Sequence, residues 1–364
     1  MTSPVTMSPI NSSTPSPVVE EAVPASAVVI ACLSVLFFTI GSIGVIGNAF
    51  VIWAVIASKN MRSSVTNMFL LNLAVSDLII MLACVPDIVQ FILNHGWQLG
   101  LPLCRILRFT EVFALYASVM TLVGVCVERY VAIIHPMRAH LLCCRARMCV
   151  VICLIWPLAM ACAAPNLLCH VLLSHHPDFT PCVMQFPSPN HFLAYKFAEF
   201  FIFYLLPLII QVVLYTFVGR KLFSSELFHA MEPAVGREKY ARAMRARRGV
   251  IKMLVAGVAV YFISFSPHQA LLFYNTFSPT RFEQTWPFLI FVNMMAYFSS
   301  ACNPLLYSIF SHRFREKFVA ILLCRRTKQN ARGSSRKEST VANTGILIGG
   351  KPQNKNLKTA VCDV

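Results

Sequence analysis

The chain has 364 residues, of which 57% are hydrophobic and only 13% are charged. Soluble domains carry about 25% charged residues, so this composition excludes an ordinary soluble protein and predicts a membrane protein with several spans. The formal net charge of +16 raises nucleic acid as an alternative partner. However, all but four of the 31 Lys and Arg residues lie at one set of segment ends, near the loops 58–65, 130–148 and 220–252 and in the tail 311–364.

This asymmetry of charge predicts how the chain sits in the membrane. Cytosolic loops collect Lys and Arg, so the N-terminus is predicted to lie outside the cell and the C-terminus in the cytosol. The four exceptions lie at the predicted outer ends: Arg105, Arg108, Lys196 and Arg281. Membrane topology therefore explains the basic charge, and no nucleic-acid partner is expected.

Residues 1–24 are rich in Ser, Thr and Pro, and we expect a disordered extracellular tail. No secretory signal peptide is evident, because a basic start followed by an apolar run is missing, and the first span is expected to serve as the insertion signal. Asn11 begins the sequon Asn11-Ser12-Ser13 on the predicted outer side, so it is a candidate glycosylation site, although sequons also remain unused.

Seven apolar segments predict an all-α membrane protein, a seven-transmembrane helix bundle over 25–310 with a short amphipathic cytosolic helix after it. The predicted spans are 25–57, 66–93, 101–134, 148–170, 193–221, 249–275 and 284–310. In residues 311–324, Phe314, Phe318 and Leu322 share one face, which predicts a helix on the inner membrane surface. Cys324 at its end is a candidate palmitoylation site, and the basic tail 325–364 is expected to be disordered.

Polar residues inside the spans are few. In the seventh span, Asn303 and Pro304 are both costly, because Pro304 removes a backbone donor that neighbouring groups must compensate for. In the third span, Glu111, Ser118 and Arg129 lie near one face at about 100° per residue. They place a charge near each membrane surface and a hydroxyl between, as in a rod that links the two faces.

Three cysteines lie at or near the predicted oxidising side. Cys104 is predicted to pair with Cys182, which would tie the top of the third span to the loop after the fourth. Cys169 is the alternative partner.

The spans also carry motifs in a fixed order: Gly47-Asn48, Leu73-Ala74-Val75-Ser76-Asp77, Cys104, Glu128-Arg129-Tyr130, Trp156, Pro207 with Tyr215, Pro267, and Asn303-Pro304-Leu305-Leu306-Tyr307. Together they resemble the rhodopsin-like (class A) G-protein-coupled receptors over roughly residues 25–324, most similarly the neuropeptide receptors. Any one motif is weak, but motifs in register in all seven spans are specific. The resemblance implies a plasma-membrane receptor that activates heterotrimeric G proteins.

Asp77 is a carboxylate at mid-membrane, where a charge must be paired or hydrated. The resemblance implies a water-filled sodium site built from Asp77, Ser118, Ser300 and Asn303. Its oxygen donors suit a hard cation rather than zinc or copper. The alternative is a protonated Asp77 bonded to Asn48 and Asn303. Apart from this possible ion, no cofactor is expected.

The resemblance also implies a conformational switch at the inner side: Glu128, Arg129, Tyr215, Phe265, Pro267, Asn303, Pro304 and Tyr307. Arg129 is expected to pair with Glu128 and to exchange towards Tyr215 or the cytosolic partner, against the alternative of an arginine that snorkels at a helix end. Many relatives lock this arginine with an acid on the sixth span, where this chain has Arg247, so we expect raised ligand-free signalling. Phe265 stands where the family usually has Trp.

The ligand pocket is expected to open outward. Its predicted polar lining includes Asp87, Gln90, Arg108, Glu111, Glu199, His268, Gln269 and Tyr297. Arg108 with Glu111, and Lys196 with Glu199, stand three residues apart and could neutralise each other, which would leave Asp87. The outer half has more acids than bases, so a ligand with a cationic group is favoured.

Several functions compete. The longer acid Glu111 and the wide polar lining favour a peptide ligand over a biogenic amine or a lipid. A transporter or channel would show repeats or rings of charge, and neither is found. No nucleophile–base pair or metal cluster supports an enzyme. The resemblance further implies arrestin, receptor kinase and membrane lipids as partners.

Overall fold

The computed structural model describes residues 26–93, 96–173, 180, 182–229, 234–278 and 286–322. The predicted tails 1–24 and 325–364, and with them Asn11 and Cys324, lie outside these ranges.

Helices account for most of the described chain. They are α1 (Ala27–Ala57), α2 (Lys59–Arg62), α3 (Val65–Ala83), α4 (Val85–Leu93), α5 (Gly100–Ile134), α6 (Pro136–Leu142), α7 (Arg145–Cys169), α8 (Pro189–Phe200), α9 (Leu206–His229), α10 (Ala234–Phe277), α11 (Trp286–Phe310) and α12 (His312–Leu322). A π-helical turn, Phe201–Leu205, joins α8 to α9.

Six stretches of the described chain are long and apolar enough to cross a membrane: Ala27–Ala57, Val65–Gln90, Gly100–Ile134, Arg145–Cys169, Pro189–Leu222 and Arg248–Phe277. They correspond to the first six predicted spans. The seventh, α11, has 25 residues, enough at 1.5 Å per residue to cross about 30 Å of hydrocarbon. The chain therefore forms the predicted seven-helix bundle.

The third span, α5, is the centre of the bundle and packs against α3, α7 and α9. Its side chains Leu122, Val125 and Cys126 join a buried cluster at the inner half that also contains Tyr215 and Tyr307. Helices hidden on several sides carry apolar residues all round rather than on one stripe, which is why hydropathy alone located this span.

The proline in the seventh span is compensated by a neighbouring side chain. Pro304 has no N–H to donate to the carbonyl of Ser300, four residues earlier. The side-chain amide of Asn48 in α1 donates to that carbonyl at 3.3 Å and also to the carbonyl of Gly44 at 2.9 Å. Asn48 therefore ties the first span to the break in the seventh.

The fifth span contains a similar compensation. Pro207 leaves the carbonyl of Phe203 without its helical donor, inside the π turn. The hydroxyl of Tyr261 in α10 donates to this carbonyl at 2.9 Å. The fifth and sixth spans are therefore joined through a backbone group that the proline released.

The surface helix α12 follows the seventh span directly. Phe314 is buried against Tyr307, with ring centroids 5.6 Å apart. Phe318 meets Phe50 of the first span edge-on, with ring centroids 5.2 Å apart. The apolar face predicted for this segment thus packs partly on the bundle itself.

Part of the loop after the fourth span forms a hairpin. Strands β1 (His170–Leu172) and β2 (Cys182–Met184) pair antiparallel, with Val171 opposite Val183. A disulfide joins Cys104 to Cys182, which confirms this pairing over Cys169, whose thiol is free. The hairpin is thereby fixed to the top of α5.

Gly96 holds the same loop from the other side. It forms a parallel bridge with Thr180, and the next residue, Trp97, donates its N–H to the Thr180 carbonyl at 2.7 Å. Gly96 has a φ of 72°, and a Cβ there would lie 2.7 Å from the Thr180 backbone nitrogen. The position therefore requires glycine for its conformation and for its space.

We expect Gly96→Ala to destabilise the receptor by about 3 kcal/mol, from left-handed strain together with overpacking against backbone. Gly100→Ala is a matched control, because Gly100 has a φ of 78° but, among the described residues, its added Cβ would meet only Pro102 at 3.8 Å. The control should lose about 1.5 kcal/mol from strain alone. Thermal unfolding of the purified proteins in detergent measures both, and equal losses would rule out the contact with Thr180.

Candidate functional site

An acidic cluster with one arginine joins three spans near the outer side. The Arg108 guanidinium donates to both oxygens of Asp87, at 2.6 and 2.8 Å, and to Glu111 Oε2 at 2.9 Å. The Tyr297 hydroxyl donates to Glu111 Oε1 at 3.1 Å. The cluster thus links α4, α5 and α11. Because two carboxylates face one guanidinium, it has a formal charge of −1.

This geometry corrects one part of the sequence interpretation. Asp87 is not left over when Arg108 pairs with Glu111, since Arg108 holds both acids at once. The side chains of Arg108, Asp87 and Glu111 are 28%, 14% and 12% exposed, so the cluster is reached by solvent only in part. The surplus of negative charge remains, but it belongs to the cluster rather than to Asp87 alone.

A second polar cluster lies between the third, fourth and fifth spans. Lys196 donates to Glu199 Oε2 and Tyr116 donates to Glu199 Oε1, each at 2.8 Å. The Tyr116 and Tyr195 hydroxyls are 3.3 Å apart, and Asn166 donates to Tyr195 at 2.8 Å. Both oxygens of Glu199 are therefore occupied and its charge is balanced by Lys196.

Sequence reasoning missed Tyr116, Tyr195 and Asn166. Each sits in an apolar run, where a tyrosine or a single asparagine gives no periodic signal. The position of Tyr116, two residues before Ser118, would not have revealed its role, because its hydroxyl bonds Glu199 of the fifth span rather than Asp77.

The remaining predicted lining residues differ in exposure. His268 is exposed and lies within electrostatic range of Lys196 and Glu199, and Gln269 is half-buried. Gln90 is buried and accepts a bond from the backbone N–H of Gln98 at 2.9 Å. The structure therefore places His268 beside the second cluster, whereas Gln90 holds the outer loop.

His170 begins the hairpin just outside the fourth span. Its ring nitrogen Nδ1 lies 2.7 Å from the Asn166 carbonyl, and its own carbonyl accepts a bond from Arg105 at 2.9 Å. Burial lowers the pKa of His170 to about 4, so the ring stays neutral at neutral pH. This residue fixes the hairpin without adding charge near the clusters.

The mid-membrane polar residues meet around Asp77. Asn303 donates to Asp77 Oδ2 at 2.7 Å and Ser118 donates to Oδ1 at 3.2 Å, and Ser300 lies beside the same carboxylate. Asn48, named in the alternative interpretation, donates to backbone carbonyls instead. All four residues predicted for the sodium site are therefore brought together.

Two buried polar atoms of the same region have no partner within the described part of the chain, Asn48 Oδ1 and the Tyr307 hydroxyl. Buried polar groups in folded proteins are almost always satisfied by protein, water or an ion. Together with the oxygen atoms around Asp77, they fit a hydrated site for a hard cation such as sodium.

A family model described as 7 transmembrane receptor (rhodopsin family) matches residues 47–307. The chain belongs to this family. Neuropeptide receptor 15 of Caenorhabditis elegans is 32% identical, covering 86% of this chain and 95% of its own. The QRFP-like peptide receptor of Branchiostoma floridae is 26% identical, and the match covers 77% of this chain and 74% of that receptor. The thyrotropin-releasing hormone receptor of Gallus gallus is 28% identical, and the match covers 84% of this chain and 81% of that receptor. The resemblance drawn from the motifs is confirmed.

At the inner side of this rhodopsin-family receptor, Arg129 forms an ion pair with Glu128 through two of its nitrogens. Glu128 is only 4% exposed and also accepts a bond from Thr66 at 3.3 Å. Tyr215, the predicted exchange partner of Arg129, is buried beside Cys126. In this structure Arg129 is therefore held by its neighbour Glu128. Arg247 lies in α10, but its side chain is outside the described residues.

The kink region of the sixth span is built from aromatic residues. Phe265 is buried, and its ring centroid lies 4.6 Å from that of Tyr261, one turn below. The Tyr204 hydroxyl bonds the Ser266 hydroxyl at 2.8 Å. With the bond from Tyr261 to the Phe203 carbonyl, two links join the π turn to α10 on either side of Phe265. Pro267 follows inside the helix.

The π turn also contacts the second polar cluster. The ring of Phe203 stacks on that of Tyr116, with centroids 3.6 Å apart and planes 5° from parallel. Tyr116 in turn holds Glu199. A continuous set of contacts therefore runs from the outer acid Glu199 through Tyr116 and Phe203 to Tyr261 and the kink of the sixth span.

Proposed function

We propose that this receptor binds an extracellular peptide with a cationic group and activates heterotrimeric G proteins from the plasma membrane, with its N-terminus outside. The acidic cluster of Asp87, Glu111 and Arg108 carries the proposal, because it sets two carboxyl groups against one guanidinium in the outer half and is accessible in part. A bound cation would pair with the second carboxylate there.

The peptide class rests on the relatives. Three of them are named as receptors for neuropeptides, a QRFP-like peptide and thyrotropin-releasing hormone. The two polar clusters agree with a ligand that spans several helices, since one joins α4, α5 and α11 and the other joins α5, α7 and α8. A biogenic amine is the alternative, because Glu111 stands where amine receptors have their acid. Both oxygens of Glu111 are already occupied, which disfavours a ligand with a single anchor.

A peptide-library screen with nucleotide loading as the readout tests the proposal. Membranes holding the receptor should load a GTP analogue in response to peptides that contain Arg or Lys. Each active peptide is then compared with a copy in which citrulline replaces Arg, which keeps the shape and removes the charge. Loss of activity with citrulline supports the cationic group, and activity confined to neutral peptides would contradict it. Uptake of labelled solute without loading would favour a transporter.

We also propose that Asp77, Ser118, Ser300 and Asn303 hold a sodium ion that favours the inactive packing. The side-chain oxygens around Asp77 and the two unpartnered atoms beside them support it. When bound, the ion would supply a positive charge that balances the buried carboxylate.

Sodium should therefore weaken agonist binding to the wild-type receptor, by about tenfold if the coupling free energy is about 1.4 kcal/mol. Asp77→Asn keeps the size and the bond from Asn303 but removes the charge, so sodium should lose its effect. Potassium at equal ionic strength is the control. An equal response of wild type and Asp77→Asn to sodium would refute the site.

Further partners are proposed from the resemblance alone. A receptor kinase and arrestin would act on the serine-containing cytosolic tail, and membrane lipids would contact α12 and a palmitoylated Cys324. Mass spectrometry of the receptor purified from cells tests the modifications of Asn11, Cys324 and the tail together. We propose no catalytic activity for this chain.

A further inference from the structure

The sixth and seventh spans come into close backbone contact at their cytosolic ends. A Cβ built on Gly249 of α10 would lie 2.8 Å from the carbonyl oxygen of Phe310, the last residue of α11. At Gly257, two turns further out, the nearest atoms are 3.8 Å away, on Asn303 and Leu306. The tight contact is therefore local to the base of the sixth span.

The atom that faces Gly249 cannot easily move aside. A side-chain tip can rotate away, but a backbone carbonyl moves only with its helix, so any side chain at position 249 must push the two helices apart. Real Cβ atoms essentially never approach another atom to within 3.0 Å. Only glycine fits this position in the observed packing.

The residues around this contact belong to the inner core rather than to solvent. Ile251, Met253 and Leu254 of α10 are buried in the same cluster as Tyr307 and Phe314. Within the described chain, Arg129 takes its ion pair from Glu128 on its own helix. The sixth span is thus held at its base by close packing against the seventh span.

We propose that Gly249 is a positioning residue that keeps the receptor closed, by letting the backbone of the sixth span seat directly on the Phe310 carbonyl. The contact takes the place of the ionic lock that Arg247 cannot form. On this proposal the closed packing is held by fit rather than by charge, and the raised ligand-free signalling expected from Arg247 stays a prediction. Opening the cytosolic cleft separates the two backbones.

Gly249→Ala should raise ligand-free loading of a GTP analogue about fivefold per receptor at the cell surface, since overpacking of this kind shifts a two-state equilibrium by about that factor. Gly219→Ala in the fifth span is the control, because no atom of the described residues lies within 4 Å of a Cβ built there. Alanine also favours helix in both places. Equal loading by the two variants would overturn the proposal.

A second readout does not need a G protein, and so separates this inference from the proposed function on which its first readout rests. Cys126 is buried in the inner core beside Tyr215. Its thiol should react with a maleimide faster in purified Gly249→Ala than in Gly219→Ala, as followed by mass spectrometry. Faster labelling without G-protein loading would support the contact and reject the signalling function. Unchanged labelling would reject the contact.

If Gly249→Ala does not reach the surface, hydrogen exchange in the wild-type protein decides. Binding of a nucleotide-free G protein should speed exchange in both segments that meet here, 246–253 and 307–311. Unchanged exchange in these segments on G-protein binding would overturn the proposal.

Discussion

Replacing Arg108 by Met is expected to destabilise the receptor by about 3 kcal/mol, because it leaves Asp87 and Glu111 close together without their shared cation. Methionine keeps much of the apolar stem, so the change tests charge rather than volume. Thermal unfolding in detergent and the amount of receptor at the surface are the measurements.

Two comparisons isolate the cause of this loss. Arg105→Met removes a bond to the His170 carbonyl but leaves no acid unpaired, so it should cost about 1 kcal/mol. Adding Asp87→Asn to Arg108→Met removes one of the two facing charges and should recover part of the stability. If the double variant is no more stable than Arg108→Met, the repulsion of the two acids is not the reason.

The second large effect is expected at the inner end of the third span. Arg129→Ala should lower agonist-driven loading of G protein by about 10- to 100-fold, the usual range of coupling between two sites. The change also leaves the buried Glu128 with only Thr66 as its described partner. Loading assays at matched surface expression measure the loss, and Lys59→Ala, which removes an exposed charge just after the first span, is the control.

Glu128→Gln should act in the opposite direction. It keeps the side-chain shape and removes the charge that holds Arg129, so ligand-free loading should rise rather than fall. A fall in loading for both variants would mean that the pair serves only to fold the helix end. Normal loading by Arg129→Ala would contradict a switch at this position.

Much of this arrangement was predictable because the membrane restricts what a chain can do. Apolar length predicted the spans, and the cost of a buried charge singled out Asp77 and Arg129 before any contact was known. Hydropathy, however, does not give the rotation of one helix against its neighbour. It therefore could not show that Arg108 reaches Asp87 on another span as well as Glu111 on its own.

The same limit explains the other omissions. The role of Gly249 depends on a distance between two backbones, and the role of Tyr116 depends on which neighbour it faces. The hairpin of β1 and β2 was missed because each strand has three residues, too few for an alternating pattern. The sequence predicted whether a segment is apolar or helical, but it did not predict which segments contact each other.

The π turn Phe201–Leu205 determines how the preceding part of the fifth span is rotated about the helix axis. It accommodates one residue more than an α-helical turn would, so each side chain before it is offset by about 100° from a continuous helix drawn back from Pro207. Deleting a single residue there would rotate Lys196 and Glu199 about the helix axis, so that they face different neighbours, while Tyr215 would keep its position. The half of this helix before the π turn can therefore change its direction in evolution without disturbing the half that follows it.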